Sequence, residues 1–445
     1  MNILIICSYY PPDSAISAVR PYMFAKYLSK LGNNVTVLRS GAFNSTPDQA
    51  YIKLEGVKVI SFLGESSEAE LFERNQTVSL VKSSNVSHPK LRKNDFIKKI
   101  YHYINEPNNT RKRINSSKYN YSLQKKAIDS INESFDIVIS TYSELENVFA
   151  GAYAAEHFNA KWIMDFRDSI VDHINHERYM WNLHAKKYQL FALKNADLCT
   201  TVSNGLSQEL ARLNKHASIE TLYNGYDDDN EVITQEYNQA STKKALTICY
   251  TGQIYDLRLD GLKRFVAAIK HLIDNDSISK DQISFVYAGK NSDAVSKLFD
   301  EFSISDILDN HGQLSRTEAI ELQNNSDVFL VLSWNTKKAK GILTGKFYEG
   351  VRAKKPIISI VEGDVPESEL LELNNKYNYG FCYESCNRNM SSSYIEQYVC
   401  NLCLEKNTKG HIDYVPSNDL TDDFCYEGIV NKLNNLAIKL CEVEK

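Results

Sequence analysis

Short apolar runs rich in β-branched residues alternate along the chain with longer stretches in which apolar residues recur every three or four positions. That alternation is the mark of βαβ units, whose parallel strands are buried on both faces. In the first half it predicts strands at Asn2–Cys7, Asn34–Leu38, Val57–Ser61, Asp136–Ser140, Lys161–Met164 and Leu198–Val202. A helix is predicted from Ser17 to Leu31, with Val19, Met23, Tyr27 and Leu31 on one stripe and Gly32-Asn33 ending it in left-handed conformations.

The polar stretch Asn224-Gly225-Tyr226-Asp227-Asp228-Asp229-Asn230 has no periodicity and reads as a linker. A second alternation follows it, with strands at Leu246–Tyr250, Ile283–Ala288, Val328–Leu332, Ile357–Val361 and Gly380–Tyr383. From Asp423 to Val443, Ile429, Leu433, Leu436, Leu440 and Val443 describe an amphipathic closing helix. Two α/β domains are therefore expected, 1–225 and 226–422, with 423–445 as a terminal helix. The length of 445 residues fits at about 100–200 residues per domain.

Composition narrows the class. With 43% hydrophobic and 24% charged residues and no apolar stretch long enough to span a bilayer, the chain reads as a soluble cytoplasmic protein. Its first residues lack the basic start and cleavage site of a secretion signal, and the nine cysteines are scattered as reduced thiols would be. Although the net charge is −5, basic residues gather between Lys82 and Lys126, among them Lys98, Lys99, Arg111, Lys112 and Arg113. With Phe96, Ile97, Ile100, Tyr101 and Ile104 interleaved, this insertion either lies on an anionic membrane surface or receives a phosphorylated substrate, the alternative being a solvated loop.

Candidate chemistry concentrates in Gly341-Ile342-Leu343-Thr344-Gly345-Lys346-Phe347-Tyr348-Glu349-Gly350, which leads through Pro356 into the strand Ile357–Val361. A helix starting near Gly345 would present its free amides, preceded by Thr344, as a phosphate site. Lys346 and Glu349, three residues apart, would share a face: a cation for a diphosphate and a carboxylate for the two hydroxyls of a ribose. The pairing suits a nucleotide.

This run, with Ala353-Lys354-Lys355-Pro356-Ile357-Ile358 after it, resembles the nucleotide-sugar signature of glycosyltransferase family 4. Five other segments resemble that family in order: Ile5 to Pro12, Ala196 to Ser203, Asn224-Gly225-Tyr226-Asp227, Tyr250-Thr251-Gly252-Gln253 and Tyr287-Ala288-Gly289. Asp165-Phe166-Arg167-Asp168 is similar to the sequence of one subgroup. The resemblance implies a GT-B fold, two Rossmann-like domains facing each other across a cleft, and a retaining transfer of sugar from a nucleoside-diphosphate sugar to an acceptor hydroxyl. It implies a UDP-sugar, or a GDP-sugar, as donor with no metal required. The acceptor would be a glycan or a polyprenyl-diphosphate-linked sugar at the inner membrane face, in surface polysaccharide synthesis, without nucleic acid. Donor contacts are expected from Gly252, Arg258, Thr344, Gly345, Lys346 and Glu349. Catalysis is expected from Lys346, Arg258 and Asp168, and acceptor or sugar contacts from Arg167, Asp168 and Arg20. Arg20 reads equally as a surface charge; for Arg167 with Asp168 the alternative to a substrate contact is a salt bridge fixing its loop.

The chain departs from the family pattern in three places. Gly341 stands where a first glutamate is usual, Gln253 where an arginine follows the glycine, and Ser14-Ala15-Ile16-Ser17 where a first-domain Gly-Gly loop is usual. A sugar-nucleotide epimerase and a non-catalytic nucleotide-sugar-binding partner are the alternative readings. Asp227-Asp228-Asp229 resembles a metal-binding Asp-x-Asp but falls in the linker, and is set aside.

Overall fold

The computed structural model describes residues 1–13, 16–40, 54–63, 94–172, 178–227, 244–255 and 257–442, with residues 94–104 described by their backbone alone. Much of the basic insertion, and Ser14, Ala15, Asp228 and Asp229, lie outside the described residues. Two compact units emerge: Met1–Leu222 with Val430–Lys445, and Tyr223–Ile429.

The first unit is a seven-stranded parallel sheet. In chain order it comprises β1 (Asn2–Ile6), α1 (Ile16–Lys30), β2 (Asn34–Arg39), β3 (Val57–Ser61), α2 (Asn94–Asp129), β4 (Ile137–Tyr142) and α3 (Glu146–Phe158). It continues with β5 (Lys161–Phe166), α4 (Tyr179–Asn195), β6 (Leu198–Thr201), α5 (Asn204–Leu213) and β7 (Ile219–Thr221). The strand order is β3-β2-β1-β4-β5-β6-β7, so the chain winds one way from β1 and then reverses at β4. Ile5 of β1 is in register with Val37 on one side and Ile139 on the other, all three fully buried. Gly151 on α3 has a packing reason for lacking a side chain: a Cβ there would lie 2.2 Å from Ser140 Oγ, the acceptor for Trp162 Nε1.

The second unit holds β8 (Leu246–Thr251), α6 (Leu257–Asp274), β9 (Ile283–Ala288), α7 (Ser292–Glu301), β10 (Leu308–Asn310), α8 (Arg316–Asn324) and β11 (Val328–Asn335). After these come α9 (Gly345–Arg352), β12 (Ile357–Gly363), α10 (Glu369–Tyr377), β13 (Gly380–Glu384), α11 (Ser393–Lys409) and α12 (Asn418–Phe424). Its sheet order, β10-β9-β8-β11-β12-β13, reverses between β8 and β11. Alternate residues feed two cores. Ile248, Leu330 and Ile360 pack with Phe265 and Phe299, while Cys249, Val331 and Val361 pack with Phe347, Tyr379 and Phe424.

All eleven expected strands form, and two short edge strands, β7 and β10, join them. At three residues each, these two are too short for a period-2 pattern to show. The terminal helix differs from its expected start. Asp423 still belongs to α12, Cys425 is extended and bridges Tyr226, and α13 (Tyr426–Glu442) begins only then. Beyond Ile429 it belongs to the first unit, where Asn33 Nδ2 donates to Asn434 Oδ1 at 2.9 Å and Lys432 donates to the Thr221 carbonyl.

Phe424 sits among Tyr223, Phe347, Tyr348 and Tyr377, with ring centroids 5.0–5.9 Å apart. Phe424→Ala is expected to destabilise the second unit by about 3–5 kcal/mol, measured as a shift of the urea midpoint; a loss under about 1 kcal/mol would show that this cluster does not anchor α9.

Candidate active site

Open parallel sheets bind ligands beyond the carboxyl ends of their strands, where the strand order reverses. In the second unit that point lies between β8 and β11, and the residues around it are crowded in a particular way. Gly252, directly after β8, has φ +137°, and a Cβ there would approach Lys346 Cε to 2.8 Å. The Lys346 stem therefore runs across the face of Gly252. The Gly252 amide donates to the Ala288 carbonyl at 2.7 Å and its own carbonyl accepts from Tyr287 Oη at 3.1 Å. Gly289 closes the other side, since a Cβ on it would sit 2.0 Å from the Gly252 carbonyl oxygen. Gly289 is required by this close backbone approach, and Gly252 by its positive φ.

Helix α9 starts where expected. Thr344 is extended at its N-cap (φ −79°, ψ 154°), yet its hydroxyl caps nothing and is buried without a partner. Gly345 is exposed and no atom lies within 4 Å of where its Cβ would be. The Phe347 amide turns back onto the Thr344 carbonyl at 3.0 Å, while the amides of Gly345 and Lys346, without an intrahelical acceptor, begin the helix at an open point beside an unused hydroxyl.

Lys346 Nζ lies 2.6 Å from Glu349 Oε1. The other carboxylate oxygen accepts from Gln323 Nε2 at 2.5 Å and from Thr251 Oγ1 at 3.3 Å, and Gln323 Oε1 in turn accepts from Arg352 at 2.7 Å. Glu349 is fixed by residues from β8, α8 and α9. Side chains of Lys346 and Glu349 are each about one-third or less exposed, 27% and 32%, so their ion pair adds little to stability and can be exchanged for a ligand.

Arg258, in the first turn of α6, donates to the Gln253 carbonyl at 3.2 Å. Its guanidinium lies 4.9 Å from the Tyr255 ring and 5.4 Å from the Trp334 ring, and its Nε is buried without a partner. Burial pushes the Tyr250 phenol up to about 12, while Arg258 pulls it down. The structure thus gathers Gly252, Thr344, Gly345, Lys346, Glu349 and Arg258 around one sheet edge. Gln323, Thr251, Tyr255 and Trp334 belong with them and were not singled out from the sequence. Thr251 adjoins Gly252 and was legible in principle; Gln323 is 26 residues from Glu349 in sequence and carries no local signal.

The first-unit candidates fare differently. Arg20 is not a surface charge. It is 1% exposed, and its Nε and Nη2 fork onto Asp165 at 2.8–3.2 Å while Nη2 also donates to the Leu222 carbonyl at 3.0 Å. Thr200 Oγ1 completes the set by donating to Asp165 at 2.8 Å. Arg167 does not pair with Asp168 either. Its Nη1 donates to the Ser17 carbonyl at 2.9 Å, at the start of α1, and its Nε is buried without a partner. Asp168 is exposed; desolvation raises its carboxyl and Arg167 lowers it.

No protein-family model matches the chain, and no curated protein matches it. Solved structures do. The N-terminal domain of Candida albicans trehalose-6-phosphate phosphatase aligns with a TM-score of 0.59 at 10% identity, covering 99% of this chain and 96% of that one. Sucrose-phosphate synthase from Thermosynechococcus elongatus gives 0.58 at 12% identity, over 99% and 98% of the two chains. HepE of Anabaena, crystallised with UDP and glucose, gives 0.53 at 12% identity, over 99% and 100%. The fold is GT-B. At these identities the likeness concerns the fold, and chemistry has to come from the site.

Breaking the Arg20–Asp165 pair leaves a buried charge uncompensated, so Arg20→Met is expected to cost about 3–5 kcal/mol. Equilibrium unfolding checks this, and an unchanged midpoint would remove the structural role assigned to the pair.

Proposed function

We propose that this chain is a glycosyltransferase that moves a sugar from a nucleoside-diphosphate sugar to an acceptor hydroxyl. One observation carries the reading: Lys346 and Glu349 share one face of a helix whose first amides begin at an open point by the switch point, with Lys346 laid across Gly252. In this reading the diphosphate meets the amides of Gly345 and Lys346, the Thr344 hydroxyl and the Lys346 ammonium, which leaves Glu349 for it. Glu349, still held by Gln323 and Thr251, accepts both hydroxyls of the ribose.

Departure of the diphosphate dominates the barrier, so preorganised positive charge is the principal catalytic effect. Lys346 and the helix amides supply it, and Arg258 adds a cation whose Nε has no other partner. That neutralisation supports a reaction without a metal or other cofactor. Asp168 and Arg167 are proposed to meet the acceptor or the sugar ring, and the transfer is proposed to retain anomeric configuration by attack on the face the diphosphate leaves. HepE, named as a complex with UDP and glucose, supports a UDP-sugar donor, and a GDP-sugar is the alternative.

The acceptor is proposed to be a glycan or polyprenyl-diphosphate-linked sugar for surface polysaccharide, reached by a cytoplasmic enzyme resting on the inner membrane face. Among the described residues no helix is long and apolar enough to cross a membrane. Exposed Arg111, Lys112, Lys118, Lys125 and Lys126 on α2 support peripheral contact, as do Tyr119, Tyr179 and Leu183 at 48–63% exposure and Lys186 and Lys187 beside them on α4. Arg113 is engaged inside the unit, its guanidinium 3.8 Å from the Trp181 ring.

Thermal shift against UDP, GDP, ADP and CMP and their common sugars tests the donor site. At about a hundred times its Kd the right nucleotide stabilises by about 2.7 kcal/mol. Lys346→Ala and Glu349→Ala are each expected to weaken that affinity about tenfold or more; a response to no nucleotide, or one indifferent to both substitutions, defeats the transferase reading. Isomerised nucleotide sugar in the absence of acceptor would identify an epimerase instead.

Co-sedimentation with anionic liposomes tests the membrane contact. Lys112→Glu, Lys118→Glu, Lys186→Glu and Lys187→Glu combined should abolish it, and wild-type binding should fall as salt rises. Binding that survives all four reversals would exclude this face.

A further inference from the structure

The carboxyl edge of the first sheet carries a row of polar side chains that the donor site does not use. Cys7 continues the register of Ile6 with Leu38 and Ser140, so it stands between Arg39 on β2 and Thr141 on β4. Thr141 is in register with Asp165, and Asp165 with Thr200. Residues at one level of a parallel sheet project to the same face. All five therefore line one band. Its two halves differ. Asp165 is fully satisfied by Arg20 and Thr200. At the other half, Arg39 Nε and Nη1 are buried with no hydrogen-bond partner, and the Thr141 hydroxyl is also unpartnered in a residue 1% exposed.

A third donor residue directly follows β5. Arg167 is drawn back over the sheet by its bond to the Ser17 carbonyl, and its Nε is buried and unpartnered. By register Arg39 flanks the end of β1, and Arg167, two residues beyond Asp165 on the same face, is tied to the start of the helix that follows β1; in keeping with this, burial pushes the Cys7 thiol up to about 12 while both guanidiniums pull it down. Buried donors left unsatisfied are costly, the more so when charged. Four unused donor nitrogens and oxygens at one strand end, two of the residues cationic, describe a site built for an acceptor-only group.

We propose that Arg39, Thr141 and Arg167 bind a phosphate group at the end of β1. The place of that phosphate on the acceptor substrate rests on the transferase reading; the site itself does not. A guanidinium edge offers parallel N–H donors matched to two oxygens of a tetrahedral oxyanion, and the hydroxyl takes a third. The acceptor is then a phosphorylated molecule, its phosphate held in the first unit.

The test uses the full chain carrying Lys346→Ala and Glu349→Ala, so that the donor site is disabled. Inorganic phosphate and glycerol 3-phosphate are titrated by calorimetry. Both should bind at one site, and adding Arg39→Met or Thr141→Val should weaken each about tenfold or more. Thr141→Val removes only an unpartnered hydroxyl and should leave the thermal midpoint unchanged, so it decides the matter if Arg39→Met does not fold. No phosphate binding, or binding indifferent to both substitutions, overturns the site. Phosphate bound without the ester overturns its assignment to the acceptor. Nucleotide response is read separately on the chain with Lys346 and Glu349 intact: its absence with phosphate binding preserved would defeat the transferase reading alone.

Discussion

Phe347 has no exposed surface, and its ring stands edge-on to Tyr379 at 5.2 Å and to Phe424 at 5.1 Å. Everything proposed for the second unit depends on this contact, because Phe347 lies between Lys346 and Glu349 in sequence and points the opposite way. Holding the ring fixes the rotation of α9, which turns the ammonium and the carboxylate toward the sheet edge and sets the first amides at an open point. The helix is only eight residues long, too short to be stable by itself. Packing supplies what length does not.

The two units treat buried charge in contrasting ways. Arg20 and Asp165 meet each other's hydrogen-bonding needs and lock α1 to β5. Lys406 and Asp327 do the same in the second unit at 2.9 Å, while the other Asp327 oxygen accepts from the Thr247 amide at the start of β8. Such pairs hold elements together. By contrast, Thr344, Arg258, Arg39, Thr141 and Arg167 keep donor atoms buried and unmatched. Unmatched donors cost stability, and these five lie toward the carboxyl edges of the two sheets.

Sequence pattern carried the architecture because a strand buried on both faces is a nearly continuous apolar run, and short β-branched runs such as Ile3–Ile6 and Ile357–Val361, bounded by turn residues, read as such strands. Lys346 and Glu349 were legible because a three-residue spacing on a helix survives translation into space. Arg20 was not, since a lone arginine on an apolar helix says nothing of an aspartate 145 residues away. Gln323 and Trp334 were missed for the same reason. The paired relation of Arg39 to Thr141 needed the strand order: only with β1 between β2 and β4 do they become neighbours of one cysteine.

The return of α13 to the first unit has a consequence for how the chain comes to be folded. Residues from Val430 onward leave the ribosome after the whole of the second unit, yet Asn434 and Lys432 bond to the first. During synthesis, then, the unit that is begun first is finished last. Its sheet waits without these partners for the Asn33 amide and the Thr221 carbonyl while some two hundred residues of the second unit are made. The final helix acts as a latch in time, closing on a domain that the rest of the chain has already passed.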